Sequence, residues 1–378
     1  MNVLGLILAG ARGRVLGSLT LKRASAAVPV CGKYRAIDFT LSNMVNSGIS
    51  KVGIITQYNP RSLMDHLGSG KEWNLDRKTG GLFILQPFKR TEKDEDWYRG
   101  TADAIFQNMT ILKRGSEKDV LIASGDHIYK MDFSELFKAH YDNEADVTIV
   151  VKRLDESYDL TQYGIVELDE NNRIIRFEEK PEKSFSNIAS LGIYFMNKDF
   201  LINLLYDAIK AAESNGNSGF DLVKDIFIPR IDKLRFFAYE FDGYWRNVKK
   251  GVNEYYRINM DFLKREIREE LFYKHGKVYT KLKDLPSPKF TATADVKNSI
   301  VSDGCIVSGK VENSILFRSV TIKAGAVVKN SVLMQGTVVE EGARIENAIL
   351  DKNVLVRLER EIIGMVNQPI IIEKNAVI

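Results

Sequence analysis

A glycine-rich loop follows the first apolar segment of the chain. The run Leu4–Leu8 leads directly into Ala9-Gly10-Ala11-Arg12-Gly13. A strand that ends in such a loop is typical of phosphate sites, because glycine lets a ligand approach the backbone N–H groups closely. Yet Val15 and Ser25 stand where a basic side chain would be useful. The stretch therefore indicates a phosphate-binding loop and leaves open whether that loop still does chemistry.

The first 250 residues alternate apolar segments rich in Val and Ile with helical stretches such as Ala36–Ser47 and Ala102–Arg114. The apolar segments are VLGLILA, KVGIITQ, DVLIASG, DVTIVV and SLGIYFM. This alternation predicts an α/β domain whose mostly parallel sheet is covered on both faces. Ligands of such sheets bind at the carboxyl ends of strands. We therefore expect the loop 9–16, the segment Thr56–Tyr58 and the segment Ser124–His127 to share one rim.

A six-residue period replaces this alternation from about Phe290 onward. Apolar residues fall six apart in two registers: Val320, Ala326, Val332 and Val338, and Leu316, Ile322, Val328 and Met334. A six-residue period predicts a parallel β-helix, whereas an antiparallel sandwich or a β meander would not explain two such registers. Because each coil buries little alone, the β-helix should stack on another domain or chain, and we expect self-association.

Length and composition set further bounds. A chain of 378 residues predicts two domains, which we place at 1–250 and 290–378 with a charged helical linker at 251–289. A net charge of +4 is too balanced to indicate a nucleic-acid or membrane partner. The two cysteines, Cys31 and Cys305, form neither a disulfide framework nor a zinc pattern. Leu4–Leu8 is too short for a membrane span and is not framed as a signal peptide, so we expect a cytoplasmic protein.

Eight longer motifs occur along the chain. They are LAGARG, KRASAAVPVCGKYRAIDFTLSNMVNSGI, VGIITQYNPRSLMDHL, EDWYRGTADAIFQN, GDHIYKMDF, FEEKP, SLGIYFM and GYWRNV. Their order closely resembles the ADP-glucose pyrophosphorylase (glucose-1-phosphate adenylyltransferase) family, and the resemblance extends through the six-residue repeats. It implies a Rossmann-like nucleotidyltransferase domain with a mixed or parallel sheet, followed by a left-handed parallel β-helix. It also implies a reaction in which glucose 1-phosphate attacks the α-phosphate of ATP and expels pyrophosphate.

The resemblance also implies which residues bind which ligand. The nucleotide positions are Leu8, Ala9, Gly10, Gln57, Gly100 and Thr101. The sugar-phosphate positions are Glu179, Lys180, Ser190 and Tyr194. Effector candidates are Lys22, Arg23, Lys33 and Arg35, for which a solvated basic face is the alternative. Mg²⁺ is expected for the holoenzyme, and Asp126 is the retained member of the two aspartates that should hold it.

Four positions depart from the family pattern. Ala11 replaces a loop glycine, Val15 an arginine, Ser25 a lysine and Asn247 the second metal aspartate. Without that second charge, Asp126 would hold Mg²⁺ with weaker help. Each missing phosphate cation lowers the rate roughly 10²–10³-fold. To compensate for the missing cations, Arg14 would have to supply the charge absent at Val15, and Lys22 or Arg23 the charge absent at Ser25.

These departures favour a noncatalytic, modulatory subunit that resembles the second bacterial type of chain in the family. Such a chain partners a catalytic paralogue in a heterotetramer and can bind a small-molecule effector. The alternatives are an active adenylyltransferase and a free-standing sugar-phosphate or nucleotide sensor. Near the site, we expect His127 to be a structural neighbour of Asp126 rather than a base, and Lys249 and Lys250 to be surface charges.

Overall fold

The computed structural model describes residues 2–11, 13–88, 97–215, 220–366 and 368–378. Arg12 of the glycine loop and Glu95 and Asp96 of the EDWYRG motif lie outside the described residues. The α-helices are α1 (Ala36–Asn46), α2 (Arg61–Leu67), α3 (Thr101–Gln107), α4 (Met109–Lys113), α5 (Phe133–Asp142), α6 (Lys198–Asn215), α7 (Val252–Asp261) and α8 (Arg265–Tyr273). The strands before residue 250 are β1 (Val3–Leu8), β2 (Pro29–Val30), β3 (Tyr34–Arg35), β4 (Lys51–Ile55), β5 (Gly81–Leu85), β6 (Asp119–Ser124), β7 (His127–Tyr129), β8 (Val147–Arg153), β9 (Gly164–Leu168), β10 (Ile174–Glu179), β11 (Ile188–Asn197), β12 (Phe236–Glu240) and β13 (Trp245–Asn247).

The N-terminal domain is built on a mixed sheet with the order β10-β9-β11-β6-β1-β4-β5, to which β8 and β12 add beside β11. Strands β6, β1, β4 and β5 are parallel, and β11 pairs antiparallel with β6. In register, Leu8 lies opposite both Ile55 and Ser124. The expected rim is therefore confirmed, because the loops that follow these three strands start side by side.

Both faces of this sheet are buried, as a parallel sheet requires. Along β1, Leu4 and Leu6 belong to one apolar cluster with Ile105 of α3. Ile7 belongs to the opposite cluster with Ile37 of α1. Helices on both faces hold the strands in place, so the loops at their carboxyl ends project from a rigid support.

The C-terminal domain is a parallel β-helix. Its strands are β14 (Lys289–Phe290), β15 (Asp295–Lys297), β16 (Ile300–Val301), β17 (Ile306–Val307), β18 (Lys310–Glu312), β19 (Ile315–Leu316), β20 (Thr321–Ile322), β21 (Val327–Lys329), β22 (Val332–Leu333), β23 (Val338–Val339), β24 (Arg344–Glu346), β25 (Ala348–Leu350), β26 (Leu355–Val356), β27 (Glu361–Ile363) and β28 (Ile370–Ile372). Every third strand joins the same parallel sheet, which gives the coil three sides.

The six-residue period holds from Leu316 through Ile322 to Val328, all fully buried, and then slips. Ile322 pairs with Val339 on the next coil, 17 residues later, whereas three six-residue sides would take 18. Val339 is therefore fully buried, and Val338 is only half-buried. A shift of one residue exchanges the two faces of a strand. For the same reason Leu333 lies inside the coil, and Met334 packs outside it, against the N-terminal domain.

The two domains share an apolar junction. Ile315 and Phe317 lie on the outer face of the β-helix. They pack with Ile258 of α7 and with Phe262, which directly follows that helix. Helices α7 and α8 lie between the domains, in the segment for which charged helices were expected. Cys31 and Cys305 are buried and unpaired. Among the described residues, no helix is long and apolar enough to cross a membrane.

Candidate active site

Asp126 lies just beyond β6 and is buried among groups that contact its carboxylate. Ser124 Oγ donates to Oδ1 at 2.7 Å, and Ser25 Oγ donates to Oδ2 at 3.1 Å. The Lys249 ammonium is 3.5 Å from Oδ2. Burial alone would raise the pKa of Asp126, but the Lys249 ammonium and the two hydroxyls act against it and the pKa is lowered. Asp126 is therefore an ionised carboxylate with a cationic partner from its own chain.

A short antiparallel pairing brings Asn247 and Lys249 to this carboxylate. Strand β13 pairs with β7 so that Asn247 lies opposite His127. The Val248 N–H then donates to the backbone carbonyl of Asp126 at 3.0 Å. Asn247 caps the following helical turn, because its Oδ1 accepts the N–H of Lys249 at 3.0 Å. The turn directs Lys249 back toward Asp126.

His127 fills the space between Asp126 and Asn247. Its Nε2 lies 3.0 Å from Asn247 Nδ2, and it lies 3.6 Å from Asp126 Oδ1. Because an amide NH₂ can only donate, Nε2 is the acceptor and the imidazole is neutral. Burial, with a smaller contribution from Lys249, lowers the pKa of His127 to about 3 in spite of Asp126. This geometry supports the structural role expected for His127.

The sugar-phosphate positions converge on one cavity. Glu179, Lys180, Ser190 and Tyr194 line it together with Leu8, Thr101, Asn247 and Lys249. An irregularity in β11 between Ser190 and Tyr194 contains Gly192, which has a φ of 65°. That conformation favours glycine. Burial raises the pKa of Glu179, and Lys180 partly opposes the shift. The cavity can therefore offer both carboxylate and ammonium groups to a polar ligand.

The other nucleotide positions lie in or beside the glycine loop, or at the start of α3. A Cβ atom on Gly10 would be 3.4 Å from Cβ of Gln57, so loop and side chain are in close contact. Gln57 is buried and its Nε2 has no hydrogen-bond partner among the described residues, which leaves a donor for a ligand. A Cβ on Gly100 would be 2.2 Å from the Phe220 carbonyl oxygen, so only glycine fits there. Ala9 is buried, and its N–H donates to the Ile55 carbonyl at 2.8 Å.

The departures from the family pattern have distinct environments. Val15 is 62% exposed near the start of the 3₁₀ helix Arg14–Thr20, and Ala11 is half-buried. Ser25, in contrast, is fully buried and bonded to Asp126. Arg23 does not replace a cation at Ser25, because its guanidinium holds both oxygens of Asp351 at 2.8 and 2.9 Å. Arg14 and Lys22 are exposed.

The donor set does not fit the Mg²⁺ that the resemblance implies. Asp126 is the carboxylate at this point, and its oxygens already contact Ser25, Ser124 and Lys249. The Asn247 amide oxygen accepts a backbone N–H. Mg²⁺ needs an octahedron of oxygen ligands, and an ammonium beside the carboxylate would repel it. Among the residues that the structure describes, no three His, Cys, Asp or Glu side chains form a metal-binding group.

A second, basic cavity lies where the domains meet. Its cationic lining residues are Lys33, Arg35, Lys281, Lys283, Arg318 and Lys352. The buried Nε of Arg318 has no hydrogen-bond partner within the described ranges. Burial, reinforced by Arg35 and Arg23, lowers the pKa of Lys352 to about 7. An anion would relieve this repulsion between like charges.

The effector candidates divide between this cavity and other places. Lys33 and Arg35 line it, and Arg35 also donates to Ser62 Oγ at 2.8 Å. Arg23 was expected to meet a ligand but is instead buried against Asp351, where it joins the domains. Lys22 is exposed and is not among the lining residues.

The expectation that Lys249 and Lys250 are surface charges is wrong. Lys249 pairs with Asp126, and Lys250 lies 3.9 Å from the ring centre of Tyr163 and donates to the Gln162 carbonyl at 2.5 Å. Burial, with help from Lys249 and Lys180, lowers the pKa of Lys250 to about 8. Their place directly after Asn247, at the end of the YWRN strand, was the signal that could have indicated site residues.

Two protein families match this chain. The nucleotidyl transferase family model matches residues 4–265, and the model of the GlmU-like C-terminal hexapeptide family matches residues 286–368. The chain thus has a domain of the nucleotidyl transferase family followed by a hexapeptide-repeat domain. It is 43% identical over 327 residues to a glucose-1-phosphate adenylyltransferase of Thermosipho africanus (strain TCF52B), covering 86% of this chain and 78% of the relative. It is also 43% identical over 330 residues to that of Clostridium perfringens (strain SM101 / Type A), covering 86% of this chain and 83% of the relative. The chain belongs to the glucose-1-phosphate adenylyltransferase family.

Proposed function

We propose that this chain is a modulatory, catalytically deficient subunit of a glucose-1-phosphate adenylyltransferase in glycogen or starch synthesis. The observation that carries the proposal is the occupied carboxylate of Asp126. Two hydroxyls and the Lys249 ammonium contact it, and the position that should supply a second carboxylate is Asn247. The site therefore lacks the paired carboxylates expected to hold the metal of the holoenzyme.

The triphosphate side of the site supports the same proposal. Adenylyl transfer accumulates negative charge on phosphate oxygens, and catalysis depends on cations aimed at that charge. The exposed isopropyl group of Val15 and the hydroxyl of Ser25 cannot supply such charge. Arg23, the basic residue nearest to Ser25 in sequence, is held by Asp351. Weak turnover by the isolated chain follows.

The retained cavities support a binding role. Glu179, Lys180, Ser190 and Tyr194 remain together, so a sugar phosphate has a site. The basic cavity at the domain junction suits a phosphate-bearing effector, since six cationic side chains line it among the described residues. Regulation through this cavity requires a measurable coupling free energy between effector and substrate.

The β-helix supports the proposed assembly with a catalytic paralogue as a heterotetramer. It exposes large apolar side chains, which mark interaction surfaces when they are contiguous. These side chains are Phe290, Ile306, Leu358, Ile363, Met365, Val366, Ile370 and Val377.

The experiment that tests the proposal is steady-state turnover with ATP, glucose 1-phosphate and Mg²⁺. The chain is assayed alone, then mixed with a catalytic relative from the same organism. We expect little turnover alone and a changed rate or effector response of the relative in the mixture. Turnover of about 1–100 per second by the chain alone would instead establish an active enzyme. Ligand binding without co-purification or any rate change would establish a free-standing sensor.

A further inference from the structure

Lys249 is the cation that faces both Asp126 and the sugar cavity. Its ammonium is 3.5 Å from Asp126 Oδ2, and its side chain is 37% exposed. The same side chain lines the cavity that contains Glu179, Lys180 and Ser190. One side of the ammonium thus pairs with the carboxylate, and the remaining N–H groups are available to the cavity.

The backbone fixes this lysine in place. Asn247 is held opposite His127 by the β13–β7 pairing, and its side chain caps the turn at the Lys249 N–H. Between these two residues, the Val248 N–H donates to the Asp126 carbonyl at 3.0 Å. Lys249 therefore starts from a rigid turn directly beside its partner, unlike a lysine on an open surface.

Two further lysines make this wall of the cavity basic. Lys250 is half-buried with its ammonium over the ring of Tyr163, and Lys180 follows Glu179 at the end of β10. Lys249, Lys250 and Lys180 all line this one cavity, so it holds three like charges. Glu179 and Asp221 are the acidic groups that line the same cavity. An anionic group bound between the lysines would relieve their repulsion.

We propose that the Lys249 ammonium takes the place of a divalent metal in this site and that the cavity binds the phosphate of a sugar phosphate without Mg²⁺. The misfit of the donor set to Mg²⁺ and the fixed position of Lys249 carry this inference. It rests on the proposed function in one respect, since the ligand is the sugar phosphate assigned to the cavity there.

Calorimetric titration with glucose 1-phosphate tests the phosphate site. The full chain is titrated once in EDTA and once in Mg²⁺, and we expect dissociation constants that agree within about twofold. Lys249→Met should weaken binding about 10- to 100-fold, the loss of one charged hydrogen bond. Lys138→Met, at an exposed lysine of α5 outside the cavity lining, is the matched control and should bind like the wild type. Binding that requires Mg²⁺, or that Lys249→Met leaves unchanged, overturns the inference.

Electron paramagnetic resonance of Mn²⁺ tests the metal replacement separately. With the wild-type chain, the spectrum should remain that of free Mn²⁺. The double variant Asn247→Asp with Lys249→Gly should bind Mn²⁺, because it restores a second carboxylate and removes the ammonium. Binding of Mn²⁺ by the wild type overturns the inference, whatever the result of the glucose 1-phosphate titration. If glucose 1-phosphate binds in neither buffer, the sugar-phosphate pocket of the proposed function fails, while a negative Mn²⁺ result still supports the replacement of the metal.

Discussion

The buried ion pair between Arg23 and Asp351 should be a main determinant of how firmly the domains are joined. Arg23 Nη2 lies 2.8 and 2.9 Å from the two Asp351 oxygens. The two side chains are only 6% and 2% exposed. Arg23→Met would leave a buried carboxylate whose remaining hydrogen-bond donor, in the described part of the chain, is the Lys352 N–H at 2.7 Å. Removing one member of such a pair costs about 3–5 kcal/mol of the free energy of unfolding.

A double-mutant cycle measures this value. Arg23→Met, Asp351→Leu and the double variant are unfolded in urea and followed by tryptophan fluorescence and circular dichroism. We expect the double variant to be more stable than either single variant, because it buries no unpaired charge. Arg265→Met, at an exposed Arg265–Glu269 pair, is the control and should change stability little. Single variants that lose less than about 1 kcal/mol, or losses that simply add, would refute the reasoning.

Three further outcomes follow from the same structure. Val15→Arg, Ser25→Lys and Asn247→Asp, combined with Lys249→Gly, should raise pyrophosphate release at least about tenfold; a folded variant without gain contradicts the assignment of the lost groups. Lys352, whose pKa is about 7, gains a proton as the pH falls. Sulfate should therefore bind the basic cavity more tightly at pH 6 than at pH 8, and a pH response that persists in Lys352→Met would exclude this cause. Gly100→Ala should lower the melting temperature, because its Cβ would be 2.2 Å from the Phe220 carbonyl oxygen; an unchanged melting temperature would show that the segment adapts.

The sequence allowed the fold to be predicted where local period and burial agree. The apolar run of β1 and the loop after it predicted the rim on which Leu8, Ile55 and Ser124 meet. The six-residue period predicted the β-helix, but a coil of 17 residues moved Val339 inside in place of Val338. Single-residue slips of this kind depend on turn geometry, which periodicity alone does not specify.

The sequence predicted which residues line the site, but it did not predict which groups those residues contact. Motif order placed Glu179, Lys180, Ser190 and Tyr194 in one cavity, and the structure brings them together. The contacts of Lys249 depend on the pairing of β13 with β7, a tertiary arrangement that its neighbours in sequence do not reveal. Likewise, the partner of Arg23 is Asp351, far along the chain in the other domain. Charge alone did not distinguish a ligand-binding arginine from one that joins domains.

Turnover of the purified chain decides whether its site is catalytically deficient. With saturating ATP, glucose 1-phosphate and Mg²⁺, we expect almost no pyrophosphate release by the chain alone and an altered rate when a catalytic relative is added. Release at about 1–100 per second by the chain alone would contradict this expectation, because the occupied carboxylate of Asp126 would then be compatible with catalysis.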